Sequence, residues 1–166
     1  MTGRPAPDPA PPGGESVWAF PRPAVLQPAR QHLRVEFGGV VVAETVRGFR
    51  VIETSHPPTY YLPPDDVTPG CLEPAEGASL CEWKGGARYF DVVASGRRAP
   101  RAAWSYPAPS AAFAAIRDHV AFYAGPMDAC LVDGERVVAQ PGGFYGGWIT
   151  AGVSGPFKGG PGTQGW

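Results

Sequence analysis

The sequence predicts an all-β domain, and three observations carry that expectation. Apolar and polar residues alternate over short runs, as in Leu33, Val35 and Phe37 against Arg34 and Glu36, which is the period of a half-buried strand. Turn residues interrupt the chain roughly every eight positions, and helix-period runs are scarce, so alternating β and α units are not expected. Gly (23) and Pro (21) make up roughly a quarter of the 166 residues, a fraction that approaches low-complexity sequence. Aromatic residues at 11% argue for a folded body all the same, because disordered chains are poor in them.

Residues 1–16 hold Pro and Gly but no core formers, and are expected as a flexible, partly polyproline-like tail. Trp18, Phe20, Val25 and Leu26 suit an arm that packs on the body, where Pro21, Pro23 and Pro28 forbid an ordinary helix. Tail and arm together span 1–28, and a β domain spans 29–140. Its first strand is 33–37, and Gly38-Gly39 turns the chain into 40–45, a hairpin. Residues 49–54 read as another strand, and 59–62 as a short aromatic strand stopped by Pro63-Pro64. Ser79-Leu80-Cys81 leads into a Trp83-Lys84-Gly85-Gly86 turn and a strand over 88–93 that ends at Gly96. Residues 102–106 are expected to pair with it. Residues 110–117 are the one stretch with helix propensity, through their alanines and the spacing of Phe113 and Ile116. Strand character returns at 119–123. Residues 129–132 and 136–139 flank Asp133-Gly134 as a further hairpin. A Gly-rich aromatic extension, 141–166, is expected to pack on the same domain.

The formal net charge of -1 gives no electrostatic footprint for duplex nucleic acid or an anionic membrane. Three cysteines without Cys-x-x-Cys spacing offer no structural zinc site. Free thiols, no apolar leader in Met1 to Pro12 and no run of transmembrane length make a cytoplasmic protein the expectation, as a monomer or homodimer.

The chain has only two lysines, and both sit in an aromatic-Lys-Gly-Gly phrase: Trp83-Lys84-Gly85-Gly86 and Phe157-Lys158-Gly159-Gly160. An ammonium beside a ring and two glycines presents charge next to exposed backbone N–H groups, a way of holding small anions. Reuse of one turn type explains the same phrase without a shared site. A literal Gly-x-Gly-x-x-Gly at Gly160, Gly162 and Gly165 is no dinucleotide fingerprint, because Pro161 interrupts it and that motif needs a strand before it and a helix after it. Cys81, three residues before Lys84, is a candidate thiolate with His56 or His119 as base, against the commoner role of a small buried hydrophobe. Glu53 is a candidate acid or base beside Tyr60-Tyr61, against an ion pair with Arg47 or Arg50. Asp65-Asp66 after Pro63-Pro64 reads as turn chemistry rather than a metal site. The histidines, His32, His56 and His119, lack metal-ligand spacing and read as surface or strand residues.

An ordered set of motifs resembles an uncharacterised family, domain-of-unknown-function family 427. It runs Arg34-Val35-Glu36-Phe37-Gly38-Gly39, Val42-Ala43-Glu44-Thr45, Glu53, Tyr60-Tyr61-Leu62-Pro63-Pro64-Asp65-Asp66-Val67, Cys81-Glu82-Trp83-Lys84-Gly85-Gly86-Ala87-Arg88-Tyr89-Phe90-Asp91-Val92, Ala103-Trp104-Ser105-Tyr106-Pro107 and Val120-Ala121-Phe122-Tyr123. The resemblance implies a small, strongly bent antiparallel sheet of the β-tent type. The zinc clamp of β-tent relatives does not transfer, since its Cys-x-x-Cys pairs are missing. The label nucleotidyltransferase-like sometimes given to the family brings no catalytic residue set with it.

Rings with polar tips beside Gly and Pro turns suit either a core or a concave site that stacks a planar group. The expectation is an aromatic pocket that binds a small polar or anionic metabolite, such as a nucleotide or sugar phosphate, with or without catalysis. Glu53, Lys84 and Asp91 are the catalytic candidates. Tyr60, Tyr61, Cys81, Trp83, Tyr89, Trp104, Tyr106, Tyr145, Trp148 and Lys158 are the ligand-binding candidates. No metal or other cofactor is expected. The competing class is a structural or protein-interaction module with no small ligand.

Overall fold

The structure, a computed structural model, describes residues 4–81 and 84–166, with side chains throughout except at 78–81. It is all-β, with 45% of residues in strands and 8% in short helical turns. The N-terminal segment is tied down more than its composition suggests. Glu15–Ser16 (β1) runs parallel to Val153–Ser154 (β15), and the Asp8 N–H donates to the Gly155 carbonyl. Val25–Ala29 (β2) pairs antiparallel with Gly48–Ile52 (β5). Pro28 is tolerated there because β2 is an edge strand, where a missing N–H breaks no ladder. The Arg50 guanidinium clasps both Glu15 oxygens at 2.8 and 2.9 Å, fastening the arm from the body side.

Leu33–Phe37 (β3) and Val40–Thr45 (β4) form the expected hairpin, turned at Gly38 and Gly39, whose φ values of +62° and +75° suit glycine. Ala129–Val132 (β11) and Glu135–Arg136 (β12) extend it into a four-stranded sheet in the order β12-β11-β3-β4. The strand expected over 136–139 divides in two. Val138–Ala139 (β13) leaves β11 to pair with Trp148–Ile149 (β14), which brings the extension onto the domain.

The other side of the molecule is a bent sheet. Thr59–Tyr61 (β6) joins β5 and β2, while Leu72–Cys81 (β7), Gly85–Ala94 (β8), Arg97–Ser105 (β9) and Val120–Phe122 (β10) form a ladder in the order β10-β9-β8-β7. Leu62 and Val120 exchange both main-chain bonds at 2.8 Å, stitching the end of β6 to β10 at a corner. The expected helix is a 3-10 segment, Ala111–Ile116, interrupted at Phe113. Its short turns suit a piece that plugs one end of the sheet with Phe113 and Ile116 rather than lying along it. The main core, Leu33, Val35, Val42, Leu62, Val92 and Phe122 among others, fills the space between the bent sheet and the β3–β4 sheet. A second cluster, Val51, Tyr61, Trp104, Tyr106, Phe113 and Ile116 among others, lies on the opposite face of the bend.

Candidate functional site

Strand alternation builds the floor of the site. Side chains two apart share a face, so Val51 and Glu53, Thr59 and Tyr61, and Trp104 and Tyr106 all point to the same side of the bend. Tyr60 points the other way, into the core, where its ring meets Trp148 at 5.4 Å. Tyr89 lies opposite Trp104 in the β8–β9 register. Together these residues line a cavity of about 370 Å³, closed over by Phe144, Tyr145 and Gly146 from the extension. Tyr61, Trp104 and Tyr106 are buried, serving as core and cavity wall at once. The Tyr61 ring stands edge-on to Trp104 at 6.5 Å, and Trp104 meets Tyr123 at 4.7 Å. Trp148 anchors the closing segment: its N–H donates to Pro58 O and its indole N–H to Phe122 O. Gly146 is needed there because a Cβ would fall 2.1 Å from the Trp104 ring.

Both lysines line this cavity. The Lys84 ammonium lies 5.9 Å from the Tyr106 and Phe113 ring centres, and that of Lys158 lies 5.8 Å from Tyr145. Lys158 Nζ also donates to the Trp166 main-chain oxygen at 3.3 Å. In every ion pair among the described residues the cation is Arg or His, so neither lysine has an Asp or Glu partner there. The glycines of the repeated phrase have a different task from the one expected. Gly85 and Gly86 are in the β7–β8 ladder, and the Gly159 N–H donates to Thr163 Oγ1. They shape the turns that deliver the ammonium groups.

Glu53 is the one carboxylate among the described lining residues. It does not pair with Arg47, which holds Asp66, or with Arg50, which holds Glu15; its partner is Arg22, at 4.0 Å. Glu53 opens a tight turn closed by the His56 N–H bonding Glu53 O at 3.0 Å. Ser55, within it, has φ +72°, a left-handed conformation that costs a non-glycine residue about 1–3 kcal/mol and marks a site where the surroundings impose the shape. The turn puts Glu53 and His56 on the same cavity.

His56, named in the sequence only as a possible base for Cys81 and otherwise expected as a surface or strand residue, belongs to this cavity. It is buried in the cavity wall rather than at the surface, with its ring edge-on to Tyr145 at 4.6 Å. Gln140 fixes its tautomer. The Gln140 side-chain oxygen accepts from the Gly147 N–H at 3.1 Å, so its nitrogen is the group that donates to Lys158 O at 2.8 Å and to His56 Nδ1 at 3.0 Å. Nδ1 is therefore an acceptor, and the proton resides on Nε2. Burial pushes the His56 pKa down to about 4, helped by the charges of Lys158, Arg22 and Lys84. The imidazole is neutral at neutral pH, with an N–H to donate. The one sequence signal for it is position: a histidine pinned before Pro57-Pro58 in a short connection between two strands. Gln140 carries no such signal.

Asp91 is not in the cavity, which corrects its expected role as acid or base. Between Phe90 and Val92 the register with β9 shifts, leaving a bulge around Pro100 and Arg101. The Asp91 carboxylate accepts the Arg101 main-chain N–H at 2.9 Å and an Arg98 N–H at 2.6 Å, and these bonds hold its pKa below the ordinary value. It is a clamp on the bulge. Tyr60 and Trp148 are core residues, and Trp83 and the Cys81 side chain lie outside the described residues. Of the expected set, the structure brings together Glu53, Tyr61, Lys84, Tyr89, Trp104, Tyr106, Tyr145 and Lys158. It adds Val51, His56, Tyr123, Gln140 and Phe144. Among the described residues no three His, Cys, Asp or Glu side chains come together in a way that could hold a metal ion. Asp65-Asp66 is part of a turn, with Asp66 bonded to Arg47 and Thr45. Cys71 and Cys130 are buried free thiols, and burial pushes the Cys130 pKa up to about 12. No helix is long and apolar enough to cross a membrane among the described residues.

Fold and site together define an all-β domain whose bent sheet carries a cationic, ring-lined cavity. Residues 25–133 match the family described as Domain of unknown function (DUF427), and the chain belongs to that family. The matched stretch contains Lys84 and the sheet walls; Gln140, Tyr145 and Lys158 lie beyond it. No curated protein matches the chain significantly.

Proposed function

We propose that the cavity binds a small anionic metabolite with a flat ring. Its phosphate or carboxylate sits between Lys84 and Lys158, and its ring stacks against Trp104, Tyr61 or Tyr106. One observation carries the reading: two ammonium groups without Asp or Glu partners among the described residues face one hollow, in a protein whose net charge is -1. Two like charges brought together against apolar walls repel, and an anion relieves that repulsion. The neutral His56 Nε2–H adds a directional donor with no charge to desolvate. Glu53 accepts from a hydroxyl or amino group of the same molecule, and it is the group best placed to move a proton if chemistry follows binding.

A thermal-shift panel of nucleoside monophosphates, sugar phosphates and aromatic carboxylates tests this directly. A ligand that binds the native state at a hundred times its Kd stabilises it by about 2.7 kcal/mol. For a chain of this size that raises Tm by roughly 5–10 °C. Lys84→Ala is expected to abolish the rise while changing the unliganded Tm little, because the side chain is only half-buried and makes no ion pair with Asp or Glu among the described residues. A panel that raises the midpoint of neither protein contradicts the proposal and favours a module without a small ligand.

A further inference from the structure

A second cavity of about 420 Å³ adjoins the first. The two share Tyr89, Tyr123, Gln140, Phe144, Tyr145 and Gly146, so they are neighbouring lobes around the same segment of the extension. The second lobe has its own cation, Arg101. Its guanidinium stacks on the Tyr89 ring at 4.2 Å, and like the lysines it has no Asp or Glu side-chain partner among the described residues.

The placement of Arg101 is built rather than incidental. Its φ of +49° is left-handed, a conformation that side chains other than glycine avoid. The Asp91 carboxylate holds it there by accepting its main-chain N–H. Gly77 makes room for it, since a Cβ there would fall 2.3 Å from Arg101 Nη1. The Glu76 carbonyl accepts from the same guanidinium. Bulges commonly re-aim a side chain beside a site. Phe144, shared by both lobes, is 74% exposed, an aromatic ring with no burial role in the free protein.

We infer that the two lobes form one elongated binding cleft for a molecule with an anionic group at each end and a flat ring between them. One anion sits at Lys84 and Lys158, the body lies along Tyr89, Tyr123 and Phe144, and the second anion reaches the Arg101 guanidinium, whose planar fork suits a carboxylate or phosphate. The inference rests on the reading of the first cavity given above and extends it by naming a bipolar ligand.

Calorimetric titration of the full chain with two probes that differ only in the second anion separates the two readings. These are biphenyl-4-carboxylate and biphenyl-4,4′-dicarboxylate. The dicarboxylate is expected to bind at least tenfold more tightly. Arg101→Gly should erase that advantage, so that the two probes bind this variant with equal affinity. Glycine relieves the left-handed φ at this position, so the variant is expected to stay folded, and its unfolding midpoint verifies this. Arg101→Lys, which keeps the charge but not the fork, should retain part of the advantage. Equal affinities of the two probes for the native chain, or an advantage that survives Arg101→Gly, overturns the bipolar ligand and leaves the first cavity's reading intact. If the monocarboxylate itself binds no more weakly to Lys84→Ala, or fails to bind the native chain, the first reading falls and this one with it.

Discussion

Gly159→Ala is expected to destabilise the protein by roughly 3 kcal/mol or more, combining left-handed strain with overpacking against backbone. Gly159 has φ +138°, and a Cβ there would fall 1.9 Å from the Pro141 carbonyl oxygen. The approach is mutual, because a Cβ on Gly142 would fall 1.9 Å from the Gly159 carbonyl oxygen. Two segments of the extension thus meet backbone to backbone, and neither side can yield by turning a flexible side chain. A loss of that size lowers Tm by roughly 10 °C in a domain of this length. Gly160, next in the same phrase, has open space around its would-be Cβ. Gly160→Ala should therefore stay within about 0.5 kcal/mol of the parent. Urea denaturation of both variants decides the point, and equal losses would show that the close approach does not exist.

Acid will destabilise the fold through His56 before it reaches most carboxylates. The folded-state pKa is about 4 against an ordinary 6.5, so between those values the unfolded chain binds the extra proton and the folded chain does not. Stability therefore rises with pH through that window, is complete above about 6.5, and is lost as pH falls towards 4. The difference is worth roughly 3–4 kcal/mol. Glu15 and Asp91 act lower on the scale. Their carboxyls are held below their ordinary values by Arg50 and by the Arg101 N–H and Arg98, so their stabilisation is lost only as pH falls through those lowered values. Stability measured against pH for the parent and His56→Gln separates the contributions. The parent should lose its excess between pH 6.5 and 4, and parallel curves over that interval would contradict the assigned environment of His56. An anion held beside the ring should raise its pKa and narrow the window.

How much of this was legible in the sequence depends on which forces leave a local mark. The β3–β4 hairpin was, to the residue, because alternating burial and two left-handed glycines are both written in composition. The arm around Val25–Ala29 was legible as non-helical but not as a strand, since Pro28 reads as a breaker until its edge position is known. Lys84 and Lys158 drew notice through scarcity and a repeated phrase, and Tyr61, Trp104 and Tyr106 through their chemistry. The place of Asp91 was not legible, because the bulge that alters the register between Phe90 and Val92 leaves no mark in the sequence. Gln140, and the buried place of His56, were not legible for a related reason: both depend on the bonds that Gln140 makes to Gly147, Lys158 and the imidazole, residues far apart in the chain.

The chain's two lysines make the central claim open to a single observation. Reductive methylation with carbon-13 formaldehyde labels both side-chain amines and preserves their charge. Titration with biphenyl-4-carboxylate should then move the two dimethyl-lysine resonances together, along curves that share one dissociation constant. If one resonance moves while the other stays fixed, or if the two follow unrelated constants, then Lys84 and Lys158 do not hold a common anion.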